Sequence, residues 1–163
     1  MSTKNRLMAV AAVSLVTLGS NAYAVDRKVM PGSACQPRSP DNGQDIFALL
    51  DGVTNSNPTD LAFVLCPIVR DNTSTNPNGL LQVQLLVKGS SNDELVSCVL
   101  DSRQANGTRI QRDEAATDGG LLGLIVKQNA RIDGYYVVQC ALPPGGTVVS
   151  YSYVESSPTD ENN

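Results

Sequence analysis

The chain has 163 residues, a formal net charge of −4, and neither histidine nor tryptophan. Without histidine it has no Ser-His-Asp or Cys-His catalysis, no His-ligated zinc and no imidazole pH switch. The acidic net charge gives no electrostatic footprint for nucleic acid, and an aromatic platform on which bases or sugars stack normally needs more than the 4% aromatic residues of this chain. The composition therefore predicts no cofactor and no nucleic-acid partner.

Residues 1–24 have the features of a cleavable export signal. Lys4 and Arg6 form a basic start, and the apolar run 7–18 is too short to cross a bilayer core of about 30 Å. Residues 22–24, Ala-Tyr-Ala, match the small-x-small cleavage rule. Cleavage removes two basic residues and no acid, so the mature net charge becomes −6. We expect a periplasmic or secreted protein with no integral membrane span; an uncleaved N-terminal anchor is the competing interpretation.

Short segments separated by turn formers follow the signal. Residues 26–45 are rich in Pro, Gly, Ser and Asp, which predicts an irregular segment pinned by Cys35. Residues 46–50 are predicted as the first strand, and residues 51–58 are dense in turn formers. Residues 61–66 are apolar on both faces, which predicts a central strand covered on both sides.

The middle of the chain holds the clearest strand pattern. A polar loop at 71–79 ends in Asn-Gly, a turn signal, and residues 81–88 then alternate apolar and polar as a half-exposed strand does. Residues 95–101 are a further predicted strand that places Val96, Cys98 and Leu100 on one face. The polar stretch 109–116 fits either a helical turn or a short edge strand.

Two more strands are predicted near the C-terminus, after an apolar segment at 121–126. Residues 135–142 alternate so that Tyr136, Val138, Cys140 and Leu142 share one face. Residues 147–154 alternate with Val149, Tyr151 and Tyr153 on one face. The acidic tail 155–163 has no apolar residues and is predicted to be disordered.

Seven or eight short strands joined by Gly-, Asn- and Pro-rich turns predict an all-β fold. We expect a single domain over residues 25–154, built as an antiparallel β-sandwich with two disulfides. A small β-barrel is the alternative architecture.

The four cysteines are predicted to form disulfides, because an exported chain with an even count uses them as staples. Three pairings exist. Cys98 and Cys140 lie mid-strand on apolar faces and could meet across the core, while Cys35 lies in the N-terminal segment and Cys66 ends a strand. We therefore predict Cys35–Cys66 and Cys98–Cys140. A Cys₄ zinc site would need a C-x₂₋₄-C pair, which the sequence lacks.

Two loops supply the candidate binding residues, and no metal site is predicted. The first loop carries four Asp and Asn side chains within ten residues. Their oxygens suit Ca²⁺, but the spacing is not that of an EF-hand, and turns require the same residue types. The second candidate is an Arg-Asp pair where a strand enters the polar loop; it is either a binding patch or a surface ion pair. These residues are Asp51, Asn55, Asn57, Asp60, Arg70 and Asp71.

Five segments together resemble a group of small exported proteins of Gram-negative bacteria. The group shares four cysteines and a C-P-[IV]-[IV]-R-D motif, and the chain departs from its pattern at Leu142. The resemblance implies an exported β protein and brings no activity with it. The matching segments are Gly32–Cys35, Cys66–Asp71, Ser97–Leu100, Tyr136–Pro143 and Ser150–Glu155.

The leading functional hypothesis is a non-enzymatic secreted or periplasmic domain with a structural or binding role. The sequence does not identify the ligand, and a protein in the envelope or outside the cell is one candidate partner. One alternative is an extracellular hydrolase or lyase that depends on calcium or on paired carboxylates such as Asp113, Glu114 and Asp118. Another is a small inhibitor-type protein that presents the loop 72–79.

Overall fold

The computed structural model describes residues 27–40, 45–69, 81–90, 92–126 and 134–155. Within these ranges no helix is long and apolar enough to cross a membrane. The described chain forms one 3-10 turn, Gly32–Ala34, and eleven strands: β1 Arg27–Pro31, β2 Gln36–Pro37, β3 Ile46–Leu49, β4 Gly52–Asn55, β5 Ala62–Pro67, β6 Leu81–Lys88, β7 Val96–Arg103, β8 Arg109–Thr117, β9 Gly119–Val126, β10 Tyr135–Leu142 and β11 Thr147–Glu155.

The strands form two antiparallel sheets, which confirms the predicted all-β sandwich. The six-stranded sheet has the order β3-β4-β11-β6-β9, with β1 also paired to β11. The five-stranded sheet has the order β2-β5-β10-β7-β8. The predicted count of seven or eight strands was too low, because three short strands were not recognised in the sequence.

The core lies between the sheets and is built by period-2 alternation. Leu81, Val83, Leu85 and Val87 of β6 are buried, while Gln82 and Gln84 between them face solvent. Tyr136, Val138, Cys140 and Leu142 of β10 are buried in the same way, as predicted. Each fully buried Val or Leu side chain stabilises the fold by about 1.5–3 kcal/mol relative to an exposed one.

Both predicted disulfides are present, and both lie on the core face of the five-stranded sheet. Cys35 bonds Cys66 and Cys98 bonds Cys140, each with Cα atoms 4.1 Å apart. Cys98 and Cys140 face each other directly on β7 and β10. The expectation that this pair spans the core was wrong: opposed residues of neighbouring antiparallel strands already bring their Cβ atoms within bonding range. The closed loops predict about 4 kcal/mol of stabilisation each on the chain-entropy model.

Three short strands correct the N-terminal prediction. The segment 26–45, expected to be irregular, contains β1 and β2, and the turn-rich stretch 51–58 contains β4. Each pairs with a longer strand distant in sequence: β1 and β4 with β11, and β2 with β5. For β1 and β2 no partner strand lies nearby in the sequence, so tertiary pairing decides their structure. The strand β4 also forms a hairpin with β3, and its turn-forming residues conceal this in the sequence.

A β-bulge corrects the assignment of faces in β11. The pairing of β11 with β6 shifts between Val148 and Ser150, so Val149 is the inserted residue. Val148 therefore joins Tyr151 and Tyr153 in the core, and Val149 does not, contrary to the sequence prediction. The inserted residue shifts the order of core-facing and solvent-facing side chains by one position along β11.

The structure also tests the predictions for β5 and for the stretch 109–116. Ala62, Val64 and Cys66 of β5 are buried, but Phe63 and Leu65 on the other face are only half-buried. The prediction that β5 is covered on both sides was therefore wrong. The ambiguous stretch 109–116 is part of β8, an edge strand and not a helical turn.

The predicted signal, residues 1–24, and most of the predicted disordered tail, residues 156–163, lie outside the described residues. Glu155, the first residue of that tail, belongs to β11.

Tyr151 joins the two sheets through its hydroxyl group. The side chain is 1% exposed, and its O–H donates a hydrogen bond of 2.8 Å to the carbonyl of Pro67 on β5. Burial, followed by the charge interaction with Tyr153, raises the pKa of Tyr151 to about 12. Only the neutral phenol can donate this bond, so ionisation and the native contact oppose each other.

We predict that Tyr151 makes stability fall at high pH. An unfolded tyrosine titrates near pH 10, so the stabilisation is complete below that value and is lost as the pH rises through 12. The stability difference between wild type and Tyr151→Phe should shrink by about 1.4 kcal/mol between pH 8 and pH 11. Urea unfolding followed by circular dichroism measures it; a difference that does not change with pH would refute the prediction.

Candidate functional site

The predicted loop residues separate into two places. Asp51 lies exposed in the turn between β3 and β4, whereas Asn55, Asn57 and Asp60 lie at the other end of β4. About 13 Å of extended strand separates Asp51 from Asn55. The four side chains therefore do not form one oxygen-ligand cluster.

Asn55 supports the chain where β4 ends. It is fully buried, and its side-chain amide donates hydrogen bonds of 2.8 Å to the carbonyls of Asp60 and Leu142. Its Oδ1 accepts the N–H of Asn57, and Asn57 Oδ1 in turn accepts the N–H groups of Thr59 and Asp60. These amide oxygens are used by the turn itself. Among the described residues, no group of three His, Cys, Asp or Glu side chains could hold a metal ion.

The second predicted site cannot be placed in the structure. Arg70 and Asp71 lie outside the described residues, as does the loop 72–79. Their proposed binding role stays a prediction.

The carboxylates considered for hydrolysis point in different directions. Asp113 Oδ2 accepts the backbone N–H of Ile125 at 2.7 Å, which joins the edge strands of the two sheets. Glu114, the next residue of β8, faces solvent and pairs with Arg112 at 3.1 Å. Asp118 lies in the turn that follows β8 and accepts a long hydrogen bond from Thr117. These three acids do not face one another across a cleft as glycosidase carboxylates do.

The strongest polar constellation surrounds Asp101, which sequence reasoning did not single out. Asp101 occupies the solvent-facing side of β7, where its neighbours Leu100 and Ser102 face the core. It is nevertheless only 6% exposed, because two arginines cover it. Arg103 Nη2 lies 2.6 Å from Asp101 Oδ2, and Arg109 Nε lies 3.1 Å from Oδ1.

The register of the β7–β8 hairpin brings these residues together. Arg103 follows Asp101 by two positions on β7, Arg109 lies opposite Arg103, and Arg112 lies opposite Asp101. Side chains two apart on one strand and those opposed across strands share one face. We call the group of Asp101, Arg103, Arg109, Arg112 and Glu114 the arginine cluster.

The arginine cluster carries three positive and two negative charges and is open to solvent on one side. The side chains of Arg103, Arg109 and Arg112 are 30%, 48% and 39% exposed. The hydrogen bond to Asp101 raises the pKa of the Arg103 guanidinium, against the opposing effect of desolvation. Opposed arginines would repel each other without a carboxylate between them, so Asp101 both neutralises and positions them.

A shallow apolar depression of about 200 Å³ lies beside the arginine cluster. Leu65, Pro67 and Val137 supply solvent-facing side chains to it, and Gln36 lies at its rim. Val137 pairs with Pro67 on one side and with Asp101 on the other. The depression and the cluster therefore lie on one row across the five-stranded sheet.

Comparisons with known proteins found similarity in structure only. No family model matches the chain, and no curated relative does. The xylan-binding module CBM15 has a TM-score of 0.43 at 16% identity, covering 69% of this chain and 82% of that one. BiXyn10A CBM1 has a TM-score of 0.43 at 13% sequence identity, and the match covers 79% of this chain and 97% of that one. The C-terminal CBM6 of the laminarinase LamC from Zobellia galactanivorans has a TM-score of 0.42 at 10% sequence identity, and the match covers 79% of this chain and 99% of that one. We take no function from likenesses this distant.

We predict that Asp101 stabilises the fold through its two arginine contacts. Asp101→Asn keeps the shape but removes the charge, and should lower the free energy of unfolding by about 2 kcal/mol, because the charge-assisted hydrogen bond from Arg103 and the ion pair with Arg109 are both weakened. Glu114→Gln is the matched control, because the Glu114 side chain is 68% exposed, and it should cost under about 1 kcal/mol. Urea unfolding at neutral pH compares them; equal losses would contradict the structural role of Asp101.

Proposed function

We propose that the chain is a non-enzymatic binding domain that works outside the cytoplasm and binds an anionic ligand at the arginine cluster. The observation that carries the proposal is the set of three partly exposed guanidinium groups held around buried Asp101. Guanidinium groups bind carboxylate, sulfate and phosphate through paired N–H donors in a fixed geometry. The overall charge of −4 makes this basic surface a local departure from the rest of the chain.

The disulfides and the export features support a location outside the cytoplasm. Both disulfides are buried in the core, and such staples form and persist in oxidising compartments. The predicted signal at residues 1–24 and the resemblance to small exported Gram-negative proteins favour the same compartment. Periplasmic and fully secreted locations are both consistent with this proposal.

The use of the acidic side chains supports a binding role over hydrolysis. The Asp101 carboxylate is engaged by arginines, that of Asp113 accepts the N–H of Ile125, and that of Asp60 accepts long hydrogen bonds from Asn57 and Thr59 in the turn that follows β4. General acid–base chemistry needs carboxyl groups that reach one substrate from two sides. In the described part of the chain these groups instead hold neighbouring strands and turns.

The proposal predicts that binding to anionic polymers depends on Arg109 and Arg112. The mature chain should bind immobilised polygalacturonate or dextran sulfate, but not neutral dextran, and salt should weaken the binding. Arg109→Gln with Arg112→Gln should weaken the binding about tenfold or more, because charge-assisted hydrogen bonds are lost. Arg112→Gln alone removes only the exposed ion pair with Glu114, which should leave the fold intact. A partial loss of binding in this variant would therefore not be explained by misfolding.

Arg27→Gln is the matched control, since Arg27 lies on the six-stranded sheet beside Gln84 and Ser152. It removes the same charge from the opposite side of the sandwich and should leave the binding unchanged. The proposal fails if neither anionic polymer binds at low salt, or if Arg27→Gln weakens binding as much as the cluster variants.

A further inference from the structure

The solvent face of the five-stranded sheet combines an apolar and a cationic feature in one line. Pro67, Val137, Asp101 and Arg112 lie on one cross-strand row over β5, β10, β7 and β8. Neighbouring strands are about 4.8 Å apart, so the row is about 14 Å long. It begins at the apolar depression and ends at the arginine cluster.

The depression has the size and lining for one small ring. Its volume of about 200 Å³ is below the roughly 300–1,000 Å³ of pockets that take drug-sized ligands. Leu65, Pro67 and Val137 offer apolar surface for the C–H face of a ring, and the Gln36 amide at the rim can hydrogen-bond a hydroxyl group.

The arginine cluster is already shaped around carboxylates. Arg103 and Arg109 hold the carboxylate of Asp101, and Arg112 holds that of Glu114. A guanidinium group has five N–H donors. Within the described residues, Arg109 directs its Nε to Asp101 and Arg112 directs its Nη2 to Glu114. The remaining donors of these two half-exposed side chains are available to a carboxylate from outside.

The face is less suited to a protein partner. Energetic centres of protein interfaces are large aromatic or aliphatic anchors packed at the middle of a patch. The most exposed apolar side chains of the described chain, Leu50, Leu121 and Val29, belong to the other sheet or its β3–β4 turn. A polar chain with repeated carboxylates matches the row better than an acidic protein does.

We infer that the anionic ligand is a polysaccharide whose sugar rings carry carboxylates. One ring occupies the depression, and the carboxylate of a ring farther along the chain binds Arg109 and Arg112. This inference rests on the proposed function, which requires only that the cluster binds an anion, and adds the depression as a second contact.

Isothermal titration of the mature chain tests the inference with four probes: oligogalacturonate, oligomannuronate, dextran sulfate and poly-glutamate. At least one oligouronate should bind about tenfold or more tightly than poly-glutamate at matched charge. Val137→Gln fills the depression with a longer, polar side chain from a solvent-facing strand position and should weaken oligouronate binding about tenfold, without changing poly-glutamate binding. Ala141→Gln adds the same side chain on β10, away from the row, and should change neither affinity.

The outcomes separate the two proposals. If poly-glutamate or dextran sulfate binds as tightly as the oligouronates and Val137→Gln has no effect, the polysaccharide inference is wrong and anion binding at the cluster stands. If none of the four probes binds at low salt, both proposals are wrong. Unfolding curves for Val137→Gln and Ala141→Gln confirm that both variants fold.

Discussion

Two disulfides on the core face of the five-stranded sheet are the constraint on which the proposed binding surface depends. Cys35–Cys66 fixes the short β2 against β5, and Cys98–Cys140 fixes β7 against β10. Because β5 and β10 are hydrogen-bonded to each other, four consecutive strands form one reinforced unit. Its opposite face carries the apolar depression together with Asp101 and Arg103, and the neighbouring strand β8 supplies the other three residues of the arginine cluster. A surface held in this way loses little conformational freedom on binding, which lowers the cost of association.

Asp101 makes that reinforced face chemically distinctive. A carboxylate on the solvent side of a strand is ordinarily exposed, yet here it is almost covered by Arg103 and Arg109. Without it, arginines opposed on β7 and β8 would repel each other and spread apart. With it, they are held in position while Arg109 and Arg112 keep outward-facing donors. The same ion pairs therefore stabilise the hairpin and prepare the surface for an anion.

Features set by local sequence patterns could be predicted, whereas features set by strand pairing could not. Long alternating strands such as 81–88 and 135–142 were predicted because burial of one face imposes a local period of two. The disulfide pairing followed from strand position. The strands β1 and β2 were missed because distant partners create them, and β4 was missed because its hairpin with β3 is built from turn-forming residues. Val149 was misplaced because a bulge depends on the partner strand. The arginine cluster is not predictable from the sequence, because the pattern of 109–116 fits either a helical turn or an edge strand and only the strand register places Arg112 opposite Asp101. Asn55 looked like a binding residue because buried turn amides and ligand amides share one sequence pattern.

The claim that the five-stranded sheet presents the binding face is tested most directly by amide and arginine side-chain NMR of the mature chain during an oligogalacturonate titration. Binding at this face predicts saturable shift changes confined to residues 65–67, 99–103, 109–114 and 135–139, with the Nε–H signals of Arg109 and Arg112 among the largest. Changes centred on the six-stranded sheet or the β3–β4 hairpin, or no changes at low salt, would contradict it.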